Sequence, residues 1–212
     1  MGATGADPLI VKTLEFLGGM ASAGGWRPES TLPEVAFAGR SNVGKSSLLN
    51  TLLRRRAAAR VSKTPGRTRE INFFRINSAF ILVDLPGYGY ARIAKERRAE
   101  WRPLIEGYLK STANLRGLVL LLDARREPTE DDHAMLSFLA EAGTPVLVAI
   151  TKMDKFGKDA GEERVKAIAL ALELDGDQVV PVSAHTGMGR DELATAVMEL
   201  VSTPDEQVNR EE

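Results

Sequence analysis

The chain of 212 residues contains no cysteine, and only 6% of its residues are aromatic. Without thiols, neither a disulfide framework nor a thiolate metal site is possible. No apolar run approaches the roughly 20 residues of a membrane-spanning helix, and residues 1–8 lack the basic start and apolar stretch of a secretion signal. We therefore expect a cytoplasmic protein that does not enter a membrane, with enough apolar content for one ordinary core and a monomer as the default state.

Charge is unevenly distributed along the chain, although its net value is only -1. The segment Arg54–Arg69 carries many basic residues and no acidic one. These basic residues are Arg54, Arg55, Arg56, Arg60, Lys63, Arg67 and Arg69. Such a stretch is typical of a nucleic-acid contact, although a solvated surface would give the same pattern. The end of the chain, 203–212, is mostly acidic, and we expect it to be mobile.

Apolar, β-branched runs alternate with amphipathic stretches, which is typical of an α/β fold with a mainly parallel sheet covered on both faces. The predicted strands are Glu34–Ala38, Ile71–Ile76, Phe80–Asp84, Leu118–Asp123, Val146–Thr151 and Val179–Val182. The predicted helices are Ser46–Leu53, Lys95–Leu109, Thr129–Ala140, Glu162–Leu174 and Asp191–Val201. Because three residues separate the second and third strands, we expect a hairpin that leaves one antiparallel strand at an edge of a six-stranded sheet.

A phosphate-binding loop follows the first predicted strand. It begins at Gly39, continues through Arg40, Ser41, Asn42 and Val43, and closes with Gly44, Lys45 and Ser46. The glycines let backbone N–H groups turn towards a polyphosphate, the lysine places a positive charge on its terminal phosphates, and the serine hydroxyl can ligate Mg²⁺. Because a helix is predicted from Ser46, the phosphates would lie at a helix N-terminus, which favours anions.

A second motif, Asp84-Leu85-Pro86-Gly87, ends the third predicted strand. The Asp84 carboxylate can hold Mg²⁺ through water, and Gly87 lets a backbone N–H approach the terminal phosphate. Open α/β sheets bind ligands at the carboxyl ends of their strands, which is where this motif and the phosphate loop both fall.

Thr151-Lys152-Met153-Asp154 ends the fifth predicted strand and indicates a guanine site. The Asp154 carboxylate can accept hydrogen bonds from the N1–H and 2-amino groups of guanine, whereas adenine would leave it unpaired. The Lys152 stem can lie along the base face. After the sixth strand, Val182-Ser183-Ala184 could offer the Ala184 N–H to the guanine carbonyl oxygen.

The polar segment 64–70 joins the first helix to the second strand and could close over Mg²⁺ when the terminal phosphate is present. Either Thr64 or Thr68 could serve on physical grounds. The nucleotide contacts that we expect from this segment are Gly66, Arg67, Thr68, Arg69 and Glu70.

Together these motifs resemble the EngB (YihA/YsxC) family of bacterial ribosome-biogenesis GTP-binding proteins. The resemblance covers about 32–201 and rests on the segments that begin at Gly39, Lys63, Asp84 and Thr151. It implies a Ras-like P-loop GTPase domain over 33–202, an extension 1–32 packed on that domain, and GTP or GDP with Mg²⁺ held by Ser46, Thr68 and Asp84. It favours Thr68 as the switch threonine. It also implies a role in assembly of the large ribosomal subunit, and in cell division and septation. Its partners would be ribosomal RNA and proteins, contacted through the basic segment.

Two positions depart from a general GTP site. Thr151 replaces an asparagine, which is expected to weaken the brace between the base-binding and phosphate loops, although the EngB family resembles this chain there. Tyr88 replaces a water-orienting glutamine on a segment, 87–89, that we expect to be flexible, so slow hydrolysis is predicted. Lys45, Thr68 and Gly87 are the remaining candidates for catalysis. Asn42 joins them because in related GTPases an asparagine there helps to hold K⁺.

Two other function classes remain open. A nucleotide-gated RNA or ribosome clamp, in which turnover is secondary, agrees with the basic segment and with Tyr88. A small-molecule kinase using ATP is disfavoured, because Lys152 and Asp154 form a guanine motif rather than an adenine site.

Overall fold

The computed structural model describes residues 6–55, 70–88 and 94–203. Within these ranges, seven strands form one sheet: β1 Leu14–Met20, β2 Glu34–Gly39, β3 Ile71–Ile76, β4 Phe80–Asp84, β5 Leu115–Asp123, β6 Val146–Thr151 and β7 Val179–Pro181. The helices in this part of the chain are α1 Lys45–Leu52, α2 Ala94–Ser111, α3 Glu130–Glu141, α4 Lys158–Ala171 and α5 Arg190–Ser202. The α/β fold class predicted from the sequence is confirmed.

The strand order is β1-β3-β4-β2-β5-β6-β7, and it corrects the predicted sheet in one respect. The strand β3 is antiparallel to both of its neighbours, β1 and β4, while the remaining pairs are parallel. The antiparallel strand was expected at the edge of a six-stranded sheet. Instead, residues from the N-terminal extension form a seventh strand that covers it.

The strand β1 was missed because its sequence contains Gly18-Gly19, which is unfavourable in a strand. The register shifts between Phe16 and Gly18, and Gly18 has a φ of 150°. A Cβ atom added at Gly18 would lie 2.5 Å from the Trp26 ring, so glycine is required for this close approach. Trp26 in turn meets the Phe73 ring edge-on, with centroids 6.3 Å apart.

Helices cover both faces of the sheet, and alternate residues of β2 point into the two separate cores. Val35 and Phe37 belong to the cluster that includes Leu48 of α1 and Leu193 of α5. Ala36 and Ala38 belong to the cluster formed with residues of α2, α3 and α4. All six residues of β2 are buried, as expected for a central parallel strand. None of the helices in the described residues is long and apolar enough to cross a membrane.

The start of α3 has a capping box. Thr129 is the N-cap, and its backbone N–H donates to the Asp132 carboxylate at 2.8 Å. Asp132 is 2% exposed, so this cap lies inside the protein rather than on its surface.

The extension is tied to the domain at two places. At the first, the buried Glu34 accepts from Arg27 at 2.9 Å and from the Tyr108 hydroxyl of α2 at 2.8 Å. Burial, followed by the Glu34 charge, raises the pKa of Tyr108 well above its usual value, so the phenol stays a neutral donor.

At the second place, the buried Arg190 of α5 contacts both the extension and α1. Its guanidinium donates to the Leu52 carbonyl at 3.0 and 2.7 Å, to the Leu9 carbonyl at 2.8 Å, and to the Asp7 carboxylate. One side chain therefore connects residues 7–9, the end of α1 and the start of α5.

Arg54 and Arg55, the first two members of the predicted basic segment, also contact the extension. Arg54 forms an ion pair with Asp7 at 3.2 Å, and Arg55 donates to the Val11 carbonyl at 2.7 Å. These two arginines therefore have intramolecular partners, which the charge pattern did not predict. The remainder of the basic segment, 56–69, lies outside the described residues, as does the acidic tail beyond Thr203.

Candidate functional site

The phosphate loop connects β2 to α1 at the carboxyl end of the sheet. Gly39 is the last residue of β2, and Lys45 and Ser46 are the first two residues of α1. Gly44 is the N-cap with a φ of 105°, a conformation that a side chain would oppose. The first-turn N–H groups of a helix have no partner within it, and no acidic residue lies in the first turn of α1. This geometry suits an anion.

Lys45 and Asp84 form an ion pair at this helix N-terminus, with side chains 11% and 9% exposed. Asp84 is the last residue of β4, which lies beside β2 in parallel register. The sheet therefore brings together, at one edge, an ammonium from the first motif and a carboxylate from the second. Within the described residues no cluster of three or more His, Cys, Asp or Glu could hold a metal by itself.

The segment after Asp84 packs against the phosphate loop. Leu85 and Pro86 are buried, and the Leu85 N–H donates to the Phe37 carbonyl at 3.0 Å. A Cβ added at Gly87 would lie 3.3 Å from the Ser41 backbone nitrogen, so Gly87 touches the loop directly.

Tyr88 is buried, contrary to the flexible position expected for it. Its N–H donates to the Gly39 carbonyl at 3.2 Å, and its carbonyl accepts from the Ser41 N–H at 2.8 Å. Its hydroxyl donates to Asp132 at 2.8 Å, and the residue is only 6% exposed. Burial, reinforced by the Asp132 charge, raises the pKa of Tyr88 well above its usual value. The phenol is therefore a neutral donor held by α3.

Thr151 forms the brace that its replacement of asparagine was expected to weaken. Its hydroxyl lies 2.8 Å from the Val43 carbonyl of the phosphate loop and 3.0 Å from the Leu122 carbonyl of β5. A hydroxyl has one proton to share between these two acceptors. Because Thr151 is 4% exposed, this link between the end of β6 and the phosphate loop is shielded from water.

Asp154 lies in a short 3₁₀ turn, Met153–Lys155, just after β6. The Ser183 hydroxyl donates to it at 2.7 Å and accepts from the His185 and Thr186 N–H groups at 3.2 Å each. Hydrogen bonds from Lys155 and then Ser183 lower the pKa of Asp154, so this acceptor stays ionised near neutral pH. The predicted Val182-Ser183-Ala184 segment thus holds the predicted base-binding carboxylate in place.

A cleft of about 370 Å³ lies between these elements. Six of the predicted residues line it: Val43, Gly44, Thr151, Lys152, Asp154 and Ala184. Four further lining residues were missed: Ser47, Leu48, Lys155 and His185. Each directly follows a predicted segment or lies one residue beyond it, so longer segments would have included them.

The structure describes only the last residue of the predicted switch segment, 64–70. Thr64 and 66–69, with the switch threonine Thr68, fall outside the described residues. Glu70 is exposed at the start of β3, with its side chain against Gly19 of β1, and it is not among the residues that line the cleft.

The fold and the phosphate loop define a P-loop nucleotide-binding protein, and comparison with known proteins identifies its type. Residues 34–152 match the family model described as 50S ribosome-binding GTPase. Residues 105–203 also resemble the elongation factor Tu GTP-binding domain. Relatives that match nearly the full length of the chain show that it belongs to the EngB family of GTP-binding proteins.

Similar proteins cover almost the whole chain. A probable GTP-binding protein EngB from Gemmatimonas aurantiaca is 61% identical over 96% of this chain and 100% of its own length. A relative of the same name from Citrifermentans bemidjiense is 46% identical over 92% and 90%. The crystal structure of a probable GTP-binding protein EngB aligns with a TM-score of 0.67 at 28% identity, covering 79% of this chain and 98% of that one. Aquifex aeolicus Era bound to GDP and AlF4⁻ aligns with a TM-score of 0.64 at 26% identity, covering 84% of this chain and 61% of that one.

Replacing Thr151 with valine is expected to accelerate GDP dissociation by roughly fivefold, because the isosteric side chain leaves the Val43 and Leu122 carbonyls without the shared proton. Fluorescent GDP displacement in a stopped-flow instrument measures the rate. Thr151→Ser, which keeps the hydroxyl, is the matched control and should stay near the wild-type rate. Equal rates for valine and wild type would show that the brace does not affect the nucleotide.

Proposed function

We propose that this protein is a GTP-dependent switch with slow intrinsic hydrolysis that acts in assembly of the large ribosomal subunit. The main observation behind the proposal is the cleft. The phosphate loop lies at one end of it, and the Asp154 carboxylate, oriented by Ser183, lies at the other. The family-model description, 50S ribosome-binding GTPase, supports the choice of partner. Effects on cell division and septation would follow indirectly from ribosome supply.

In this proposal the residues of the site divide the nucleotide between them. The loop N–H groups and Lys45 hold the phosphates, and Asp154 with the Ala184 N–H selects guanine. Ser46 and Asp84 offer the hard oxygen ligands that Mg²⁺ prefers, with Thr68 as the switch ligand. Bound Mg²⁺ would neutralise charge that develops on the phosphates. The Lys45–Asp84 ion pair supports the fit, since it places the cation for a phosphate beside the carboxylate for the metal.

The position of Tyr88 supports the proposal of slow turnover. Its hydroxyl is committed to Asp132 and its ring is packed in the core, so it is not placed to orient an attacking water.

The same observation favours a second candidate function, a nucleotide-gated ribosome clamp in which hydrolysis is secondary. Single-turnover hydrolysis with and without large subunits separates the two, because only a working switch is accelerated by its partner.

Potassium is the candidate stimulating cation, because the exposed Asn42 occupies the loop position from which an asparagine can help to hold it. We expect hydrolysis to be at least about tenfold faster in K⁺ than in Na⁺, since a fixed charge near the phosphates stabilises the transition state. Asn42 has a φ of 67°, so Asn42→Gly removes the side chain while keeping the backbone conformation. That variant should lose the K⁺ effect and still bind GDP; equal rates in both salts would exclude the cation.

Docking on ribosomal RNA is proposed for the basic segment beyond Arg55, because Arg54 and Arg55 already contact the extension. Phosphate contacts made by such a segment would dominate affinity and make it depend on salt. We expect Arg60→Gln with Lys63→Gln to weaken binding to large subunits and to lower its salt dependence, whereas Arg55→Gln should change neither. Equal effects of the two variants would place the RNA contact elsewhere.

The deciding experiment is co-sedimentation with large ribosomal subunits in a non-hydrolysable GTP analogue and in GDP. Binding that appears only with the analogue supports the switch. Asp154→Asn should bind no better with the GTP analogue than with GDP, and a xanthosine analogue should restore its binding, which separates nucleotide gating from damage to the protein. Equal binding of wild-type protein in both nucleotides would overturn the proposal.

A further inference from the structure

Asp123 is a buried carboxylate beside the cleft that no motif singled out. It is the last residue of β5 and pairs in register with Thr151 of β6, and its side chain is 8% exposed. Burial alone would raise the pKa of Asp123, but hydrogen bonds from Arg125 and then Lys152 hold it well below its ordinary range. The buried group is therefore an anion matched by two cations.

Arg125 holds Asp123 from its own loop. Its Nε donates to one carboxylate oxygen at 3.0 Å, and one of its terminal nitrogens donates to the other oxygen at 2.8 Å. The Arg125 backbone N–H adds a third bond at 3.1 Å. This bidentate geometry fixes the plane of the carboxylate, which a single contact would not do.

Lys152 joins this carboxylate to the phosphate loop. Its ammonium donates to Asp123 at 2.8 Å and to the Asn42 carbonyl at 2.8 Å. Both Lys152 and Asn42 have left-handed backbones, with φ of 64° and 67°. Such conformations are uncommon outside glycine and persist where surrounding contacts hold them. The ammonium bonds are contacts of this kind.

The loop that follows Asp123 is itself held by α4. Arg164 donates to the Ala124 carbonyl at 2.6 Å and to the Arg126 carbonyl at 2.5 Å, and it pairs with Glu127. Asp123 therefore lies at the end of a paired strand, directly before a loop that α4 holds in place. Contacts outside the cleft therefore hold the backbone on both sides of this carboxylate.

We propose that Asp123 is a positioning residue for guanine-nucleotide binding, acting through Lys152. It holds the ammonium at the phosphate loop, so that the lysine stem stays across the part of the cleft where the base is proposed to lie. Without the carboxylate, the Lys152 ammonium would keep its hydrogen bond to the Asn42 carbonyl. It would also face the positive charge of Arg125 with no anion between them. The inference rests on the nucleotide-binding part of the proposed function and is independent of the ribosome.

Asp123→Asn tests this role, because it keeps the size of the side chain and removes its charge. We expect GDP to dissociate about tenfold faster, in line with the loss of a charged hydrogen bond. Glu141→Gln is the matched control: it removes the same charge from an exposed side chain at the end of α3 and should leave the rate unchanged. Arg125→Gln, at a side chain that is 46% exposed, should give a smaller acceleration without a risk to folding.

A double-mutant cycle with Lys152→Met distinguishes positioning from a general structural effect. If Asp123 acts through the lysine, Asp123→Asn should change the GDP dissociation rate little in the Lys152→Met background. Additive effects, or an unchanged rate in Asp123→Asn alone, would overturn the inference. Thermal unfolding without nucleotide reports any loss of folding separately. Failure of wild-type protein to bind GDP would instead contradict the proposed function.

Discussion

Asp154→Asn is expected to lower the affinity for GDP by at least about 100-fold and to transfer selectivity to xanthine nucleotides. The asparagine carbonyl can accept one bond from the guanine ring, but its amide would face the 2-amino group donor to donor, leaving both unpaired. Xanthine carries a carbonyl oxygen in place of the 2-amino group, and this oxygen would accept a hydrogen bond from the asparagine amide. Competition of GDP and XDP for a fluorescent nucleotide, with purified wild-type and variant protein, measures the change.

Lys155 provides the matched control for Asp154. It forms an ion pair with Asp154 at 2.9 Å and is 55% exposed, so Lys155→Met should change GDP affinity by only a few-fold. Because the pKa of Asp154 is lowered from 3.8, guanine binding should persist as pH falls towards about 5 and be lost only below its lowered pKa. Unchanged guanine selectivity in Asp154→Asn would move the base site elsewhere.

Arg190→Met is expected to destabilise the protein by about 3 kcal/mol. The substitution leaves the Leu52 and Leu9 carbonyls without their buried donor and deprives Asp7 of its main partner, and breaking a buried charged network costs about 3–5 kcal/mol. We expect the lower end of this range because the Asp7 side chain is 19% exposed and is therefore partly solvated. Urea unfolding followed by circular dichroism measures the free energy; in a thermal scan a loss of this size lowers the midpoint by roughly 6–12 °C.

Arg54→Met separates burial from charge in this network. Arg54 contacts the same Asp7 carboxylate but is 61% exposed, so its removal should cost less than about 1 kcal/mol. If both variants lower the free energy of unfolding by the same amount, the buried hydrogen bonds of Arg190 add no stability. The extension would then be held by its charges alone.

The parts of the site that local chemistry determines were predictable from the sequence. The phosphate loop, Asp84 and the Thr151–Asp154 segment each follow a recognisable strand, and parallel strands bring their carboxyl ends to one edge. Asp123 follows a strand in the same way, yet a single aspartate has no spacing partner to distinguish it. Its partner Lys152 lies 29 residues later in the chain.

Other differences arose because the deciding contact is distant in sequence. The Gly87-Tyr88-Gly89 segment suggested flexibility, but the Tyr88 hydroxyl binds Asp132, 44 residues later. The basic pattern of Arg54–Arg69 cannot show that Arg54 and Arg55 serve the N-terminal extension. In each case pairing with a residue distant in sequence, which the local pattern does not report, decided the outcome.

The cover that β1 provides for β3 has a consequence for how the chain folds during synthesis. Among the strands that the structure describes, β1 emerges first and pairs with β3 alone, in which Ile71, the partner of Met20, follows about 50 residues later. At about 5–20 residues per second, β1 would wait several seconds for its partner. An early strand with a bulge and paired glycines is poorly suited to pair with other chains during that interval. We therefore expect the irregularity of β1 to limit its pairing with other chains during synthesis.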